Sequence, residues 1–379
     1  MYLLKNMRDK YRNSVCFLFY IGIFIFSFSR IYQYSLLFDF DSSIKSIIRI
    51  LSFVLMIPKI VLQQYDKKDY PMIIGLFLLS FLCILGGGDN NIILIPTVLV
   101  GMKDIDIKKV ITIIFYVTLS ALIIHLIAFV IDYGINNKNI LTMFHFSSKI
   151  VKNTIMYRDN NMYAIRFACC LLQYVYLTNR DKNRIAKTII LFVLSLFVFS
   201  ISQSRTSFII SILIIMFIII ENNKLFNRIL IPLRNLTCVF SIIASLLLVV
   251  IGNNASNSFF NKINNLLSGR PSIYSKAVNH IGISLFPNIE EFNNISKEFG
   301  SYSIPDNSYI SIILKWGIII SLLLAIISFV FIIKTSHSNI INYYLVVIFI
   351  WFIAEYISME IVMYIAPLLC SNVYYSNKN

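Results

Sequence analysis

The chain has 379 residues, of which 58% are apolar and 13% charged, about half the charged share of a typical soluble domain. Its mean hydropathy of +0.77 excludes an ordinary soluble protein, and its long unbroken apolar runs exclude a transmembrane β-barrel, whose strands alternate. The net charge of +15 does not by itself indicate nucleic-acid binding, because membrane proteins concentrate lysine and arginine in cytoplasmic loops. The composition therefore predicts an all-α, polytopic membrane protein.

Apolar runs recur along the whole chain, and about 20 apolar residues of helix cross the hydrocarbon layer. They cover residues 14–34, 44–63, 71–85, 91–102, 110–132, 161–178, 186–202, 206–221, 229–252, 307–333 and 340–370. The third and fourth runs are short and form a thin or re-entrant hairpin, and the last is one span or two with a break near Glu355 to Glu360. We expect about 11–12 crossings in a single integral membrane domain, residues 1–379.

Lysine and arginine define the orientation. Four basic residues precede the first run with no small-residue cleavage site after it, which predicts a first span rather than a removed signal peptide. With the N-terminus inside, most remaining basic residues fall in short inner loops, as the positive-inside rule requires. Two outer loops are long, 133–160 and 253–306. The second is the largest soluble segment and is predicted to contain short amphipathic helices.

The sequence indicates neither a metal site nor a cofactor. Its six cysteines lie in or beside apolar runs, without a C-x-x-C pair or a His/Cys cluster that would indicate zinc or a disulfide framework. It contains no glycine-rich phosphate loop of the kind that binds ATP. We therefore expect chemistry that needs neither nucleotide nor metal.

A set of basic residues lies on the outer side, against the positive-inside pattern: Arg158, Arg166, Arg205, Arg270 and Lys276. A charge deep in the bilayer costs about 2.5–3.5 kcal/mol on insertion scales, so such residues face a cavity or a partner. For Arg166 the nearby Asp132 and Asp159 are candidate partners, and Arg205 in "SQSRTS" can also reach lipid phosphates. Taken together, the set favours a diphosphate site, because a guanidinium binds two phosphate oxygens at once.

The segment "PDNSYISIILKWG", 305–317, leads the large outer loop back into the membrane. Asp306 or Asn307 suits the N-cap of the next helix, with Pro305 just before. A carboxylate at the outer surface can also act as a general base for a sugar hydroxyl. Both interpretations of Asp306 stay open from the residues alone.

Four features together resemble the O-antigen polymerase and ligase superfamily, most closely its Wzy-type polysaccharide repeat-unit polymerases. They are "SQSRTS" at the outer end of a span, "LLSGRPSIYSKAV" at 266–278, "DNSYISIILKWG" at 306–317, and a layout of many spans with one dominant late outer loop. The similarity covers about residues 150–333, and the N-terminal half only by layout. The ligase spacing of Asn307, nine residues and Gly317 is kept, but Asp306 stands where ligases have histidine. That departure argues against the ligase branch, unless His280 in the same loop compensates for the missing histidine.

The resemblance implies a GT-C-like glycosyltransferase in the bacterial cytoplasmic membrane, with its active site on the extracytoplasmic side. It would join undecaprenyl-pyrophosphate-linked oligosaccharides, among membrane lipids and possible chain-length regulator and flippase partners, with no nucleic acid and no cofactor. It implies catalytic roles for Arg205 and Arg270, with Asp306 or His280 handling the acceptor proton. Implied substrate-binding residues are Arg158, Arg166, Lys276, Asn307, Tyr274 and Tyr309.

Two alternatives remain at this point. One is a flippase or related transporter of lipid-linked oligosaccharides, and the other is a ligase-type transferase. Transporters commonly contain repeated halves with matching broken helices, and no internal repeat is evident in this chain. The polymerase interpretation is therefore preferred over both.

Overall fold

The structure is a computed structural model that describes residues 2–32, 35–38, 41–88, 90–135, 142–144, 151–153, 161–178, 183–299, 305–334, 338–355 and 365–376. Most of the described chain is helical. A helix satisfies its own backbone hydrogen bonds, which is the condition for crossing hydrocarbon. The long apolar runs of this chain therefore have one favourable conformation in a membrane.

The helices follow the predicted apolar runs in order. They are α1 (Tyr2–Tyr32), α2 (Ser42–Leu62), α3 (Tyr70–Leu85), α4 (Leu94–Gly101), α5 (Ile107–Ile135), α6 (Met162–Leu177), α7 (Arg184–Ser202), α8 (Arg205–Ile220), α9 (Lys224–Asn253), α10 (Ser258–Leu266), α11 (Arg270–Ile281), α12 (Ile289–Phe299), α13 (Ser308–Lys334), α14 (Asn339–Ala354) and α15 (Ile365–Ser376). A short 3₁₀ helix, Asn90–Ile93, precedes α4. Of the two alternatives for the last apolar run, one span or two, the structure supports a break, because α14 ends at Ala354 and Glu355 has an extended backbone.

Five described helices are long and apolar enough to cross a membrane: Tyr11–Tyr32, Ile107–Ile131, Arg184–Ser202, Lys224–Asn253 and Ser308–Lys334. Shorter apolar helices are Tyr70–Leu85, Met162–Leu177, Arg205–Ile220 and Asn339–Ala354. The prediction of a polytopic membrane protein is thus supported. The expected total of about 11–12 crossings exceeds the five that length and composition alone support among the described residues.

The two long loops that the charge pattern predicts to lie on the outer side differ in structure. The loop at 133–160 contains an antiparallel hairpin of two short strands, β1 (Thr142–Phe144) and β2 (Val151–Asn153), with Phe144 opposite Val151. The all-α expectation did not include this hairpin, because three-residue strands are too short for alternation to be detected. The loop at 253–306 contains α10, α11 and α12, as predicted.

The described helices group into two compact units, each built from separate parts of the chain. The first comprises Met1–Tyr65, Thr97–Asn227 and Glu360–Asn379. In it α1 packs on α2 and α5, and α6 packs on α5, α7 and α8. An ion pair of 2.7 Å between Arg184 and Glu221 closes one end of the α7–α8 hairpin.

The second unit comprises Asp66–Pro96 and Arg228–Met359. In it α3, α11, α12 and α14 all pack on α13. The outer-loop helices share one apolar core with the first half of α13, formed by Tyr274, Ala277, Ile281, Phe292, Ile295, Ile310 and Leu314. This core positions the start of α11 beside the start of α13.

A break within α13 allows this helix to hydrogen-bond with the loop segment before α12. Gly317 has φ 73° and ψ 174°, which interrupts the helix. The freed backbone groups pair with the segment 282–288: Ile318 N–H donates to the Ser284 carbonyl at 3.0 Å, and Lys315 accepts from Asn288 N–H at 3.1 Å. The loop therefore supplies the hydrogen bonds that the helix loses.

Candidate functional site

The candidate site is centred on Arg270, the first residue of α11. Gly269 reverses the chain at φ +77° and Pro271 opens the helix, a position that suits proline because its missing N–H has no helical partner there. The Arg270 guanidinium lies with Nη2 3.4 Å from Oδ2 of Asp306. Its Nη1 donates to the Ala354 carbonyl at 2.6 Å. Three segments far apart in sequence thus meet at one side chain.

Asn307 holds Asp306 in place. The Asn307 Oδ1 accepts the Ile310 N–H at 3.1 Å, which confirms the predicted N-cap and assigns it to Asn307. Its Nδ2 donates to Ser245 Oγ at 2.8 Å and to the Ile353 carbonyl at 2.9 Å. The Asn307 side chain is fully buried, whereas the Asp306 side chain is 49% exposed. Because Asn307 caps the helix, the carboxylate of Asp306 can contact Arg270.

Glu355 belongs to the same cluster, although the sequence indicated it only as an acidic residue in an apolar run. It caps the C-terminal end of α14 and is 6% exposed. Its carbonyl accepts the Ser308 hydroxyl at 2.6 Å. Its negative charge raises the pKa of Arg270, after the larger contribution of Asp306. The site therefore contains two carboxylates around one guanidinium.

The electrostatics determine the protonation of this cluster. Burial lowers the pKa of Arg270, but the charges of Asp306 and then Glu355 outweigh it and raise the pKa above its ordinary value. Burial raises the pKa of Tyr274 well above its ordinary value, against the opposing charge of Arg270. Arg270 is therefore cationic and Tyr274 neutral near pH 7. The acidic neighbours of Arg270, Asp306 first and Glu355 second, make this cluster a poorer fit to a diphosphate than to a hydroxyl.

Tyr274 and Tyr309, two of the predicted substrate-binding residues, pack within the second unit. Tyr274 is 1% exposed and belongs to the core shared by α11 and α13. The Tyr309 hydroxyl lies 2.8 Å from Ser241 Oγ, and its ring meets Phe352 edge-on at 5.9 Å between centroids. In this arrangement both rings support the helices that hold Arg270 and Asp306.

The other two predicted residues of α11 lie away from Arg270. Lys276 and His280 are both exposed, and His280 is in the last turn of the helix. At 1.5 Å per residue, His280 lies about 15 Å along the axis from Arg270. Of the two candidates for the acceptor proton, the structure brings Asp306 to Arg270 and leaves His280 at the opposite end of α11.

The remaining predicted arginines belong to the first unit. Arg166 in α6 is fully buried, and its Nη2 donates to the Arg30 carbonyl at 3.1 Å. Its suggested partners cannot be compared, because Asp159 and the side chain of Asp132 lie outside the described residues, as does Arg158. The Arg166 contact shown is thus with a backbone oxygen of α1.

Arg205 begins α8 directly after a tight turn. Gln203 has a left-handed backbone at φ 54°, and Ser204 and Ser207 are joined through their hydroxyls at 3.2 Å. The Arg205 side chain is exposed. A helix N-terminus carries about half a positive charge, so Arg205 adds a guanidinium to an end that already favours anions.

No family model, no curated protein and no solved structure matches this chain. The function must therefore be argued from the geometry of the cluster around Arg270 and from the sequence motifs. The cluster offers an exposed carboxylate, a guanidinium that holds it and a second, buried carboxylate.

Proposed function

We propose that the chain is a polysaccharide repeat-unit polymerase, a glycosyltransferase with a GT-C-like fold and about 11–12 crossings. It works in the bacterial cytoplasmic membrane with its active site on the extracytoplasmic side. It joins undecaprenyl-pyrophosphate-linked oligosaccharides into O-antigen or capsule. One observation carries the proposal: the two motifs at 266–278 and 306–317 that resemble the polymerases meet in the contact between Arg270 and Asp306.

The reaction needs a general base for the acceptor hydroxyl and a positively charged group that stabilises the leaving diphosphate. The acceptor sugar hydroxyl attacks the anomeric carbon of the donor, and a new carbon–oxygen bond forms. The bond from that carbon to the pyrophosphate oxygen breaks, and the diphosphate leaves on its lipid carrier. The hydroxyl proton passes to a carboxylate acting as general base. Because the diphosphate is already a good leaving group, this chemistry requires no nucleotide.

The residues divide between these two tasks. Asp306 is the base, because its carboxylate is half exposed and is held from one side by Arg270. Arg270 positions Asp306 and keeps the two carboxylates of the cluster from repelling each other. Arg205 is assigned to the diphosphate, because a guanidinium at a helix N-terminus combines two positive contributions. Arginine is most effective where negative charge develops in the transition state.

Deleting the gene and analysing the surface glycan on a gel tests the proposed function. We expect glycan limited to a single repeat unit, because export and attachment continue while polymerisation stops. Loss of all outward glycan would indicate a flippase instead. Accumulation of free lipid-linked polymer would indicate a ligase. Complementation with the intact gene should restore the ladder of chain lengths.

Arg205→Ala is expected to abolish glycan longer than one repeat unit while the protein still inserts. Loss of one preorganised charge contact to a developing anion costs about 10²–10³-fold in rate. The measurement is the glycan ladder in the deletion strain carrying the variant, with protein amount checked by immunoblot. Arg228→Ala is the matched control, because Arg228 is an exposed arginine near the start of α9. A normal ladder in Arg205→Ala would exclude Arg205 from the proposed reaction.

A further inference from the structure

A separate pocket lies in the first unit, where the start of α1 meets the end of α2 and the turn after α4. Its lining includes Arg12, Val15, Lys59, Leu62, Gln63 and Asp104. Its volume is about 340 Å³, counting the part open to solvent. None of these residues belongs to the proposed catalytic cluster, and the inference below is independent of the proposed function.

The pocket lies at the depth of lipid headgroups. The apolar stretch of α1 begins at Tyr11, so Arg12 stands at the boundary between the polar start of the helix and its membrane-spanning part. Lys59 is in the last turn of α2 and Gln63 caps it. Val15 and Leu62 supply apolar walls beside these polar groups. Such a combination of charge and apolar surface matches the headgroup and glycerol region of a phospholipid.

A chain of two side-chain hydrogen bonds holds the lining in place. Lys59 is only 4% exposed, and its ammonium donates to the Gln63 Oε1. The Gln63 Nε2 donates in turn to Asp104 Oδ2 at 2.7 Å. Asp104 has a left-handed backbone at φ 54°, a conformation that non-glycine residues seldom adopt. The ammonium is thus oriented within the pocket rather than extended into water.

The charge of the lining selects among phosphate ligands. Two cations, Arg12 and Lys59, and one carboxylate, Asp104, line the pocket, which leaves one net positive charge. A phosphodiester carries one negative charge and complements this lining, whereas a diphosphate carries more. Basic pockets between membrane helices bind anionic lipid headgroups. We infer that this pocket binds the phosphodiester headgroup of a membrane glycerophospholipid.

The test measures the melting temperature of the purified full chain in neutral detergent with added phosphatidylglycerol. Ligand binding to the folded state raises the melting temperature by an amount that grows with the logarithm of the ligand concentration divided by its Kd. We expect a rise for the native chain and for Lys109→Gln, an exposed lysine of α5 outside the pocket. In Arg12→Gln the affinity should fall roughly tenfold, as expected for the loss of one charge-assisted contact. Arg12 is exposed, so this variant keeps the fold.

Three further results would overturn the inference. An equal rise in Arg12→Gln and in the native chain would mean that the lipid acts elsewhere. An equal rise with diacylglycerol of the same acyl chains would mean that the headgroup contributes nothing. A rise of the same size with inorganic phosphate would assign the pocket to a free anion rather than to a lipid. Lys59→Gln supplies a second variant, which should also lose the response to phosphatidylglycerol.

Discussion

Arg270→Ala is expected to leave the protein inserted but without glycan longer than one repeat unit. Arg270 joins the carboxylate of Asp306 to the carbonyl at the end of α14. Without the guanidinium, the carboxylate of Asp306 loses its ion pair with Arg270 and shifts from its position. A displacement of about 1 Å in a catalytic group costs about 10²-fold in rate. We therefore expect a loss of at least this size in the rate of polymer formation.

Three further variants separate this role from a loss of folding. Asp306→Asn keeps the shape of the side chain and removes the proposed base, so it should match Arg270→Ala in activity. Arg270→Lys keeps the charge without the planar fork and should retain part of the activity. Lys262→Ala, at an exposed lysine of α10, should show a normal ladder. A normal ladder in Arg270→Ala, or inactivity confined to unfolded protein, would contradict the positioning role.

Gly317→Ala is expected to destabilise the second unit. The backbone at φ 73° and ψ 174° lies in a region used essentially only by glycine, where another residue costs about 1–3 kcal/mol. A Cβ at this position would also stand 2.5 Å from the Phe286 carbonyl oxygen and 2.8 Å from that of Leu285. Both are backbone atoms of the segment that pairs with the broken helix, so relief of the clash separates that pairing.

Gly282→Ala is the matched control for Gly317→Ala. Gly282 has nearly the same backbone, φ 72° and ψ 168°, but a Cβ there would meet nothing within 4 Å. Both variants therefore suffer the backbone strain, and only Gly317→Ala adds the clash. We expect the melting temperature in detergent to fall further for Gly317→Ala, by roughly 5 °C. Equal melting temperatures would show that the contact with Phe286 does not stabilise the fold.

The positions of Asn307 and Gly317 in α13 give a physical account of the spacing between them. Asn307 starts α13 by accepting the N–H of Ile310, and Gly317 ends the first part of the same helix. The spacing therefore equals the length of a short helical segment. Asp306 lies directly before its first residue, and the segment 282–288 hydrogen-bonds to its end. A residue pattern that resembles the family thus corresponds to two separate backbone requirements.

Most helices of this protein were predictable from the amino-acid sequence. The apolar runs, the break near Glu355 and the helices of the large outer loop all appear in the structure. The reason is that helix formation in a membrane depends on local properties, namely run length and backbone hydrogen bonding. The N-cap before α13 was predictable for the same reason, because capping involves residues within one turn.

Only the tertiary structure decided which polar residues meet. The pairing of Arg270 with Asp306 and the place of Glu355 beside them follow from the packing of α11, α13 and α14. The burial of Arg166 against a carbonyl of α1 and the break at Gly317 also depend on distant segments. Such contacts join residues that are far apart in the chain. Hydropathy patterns describe only residues that are close in sequence, so they cannot predict these contacts.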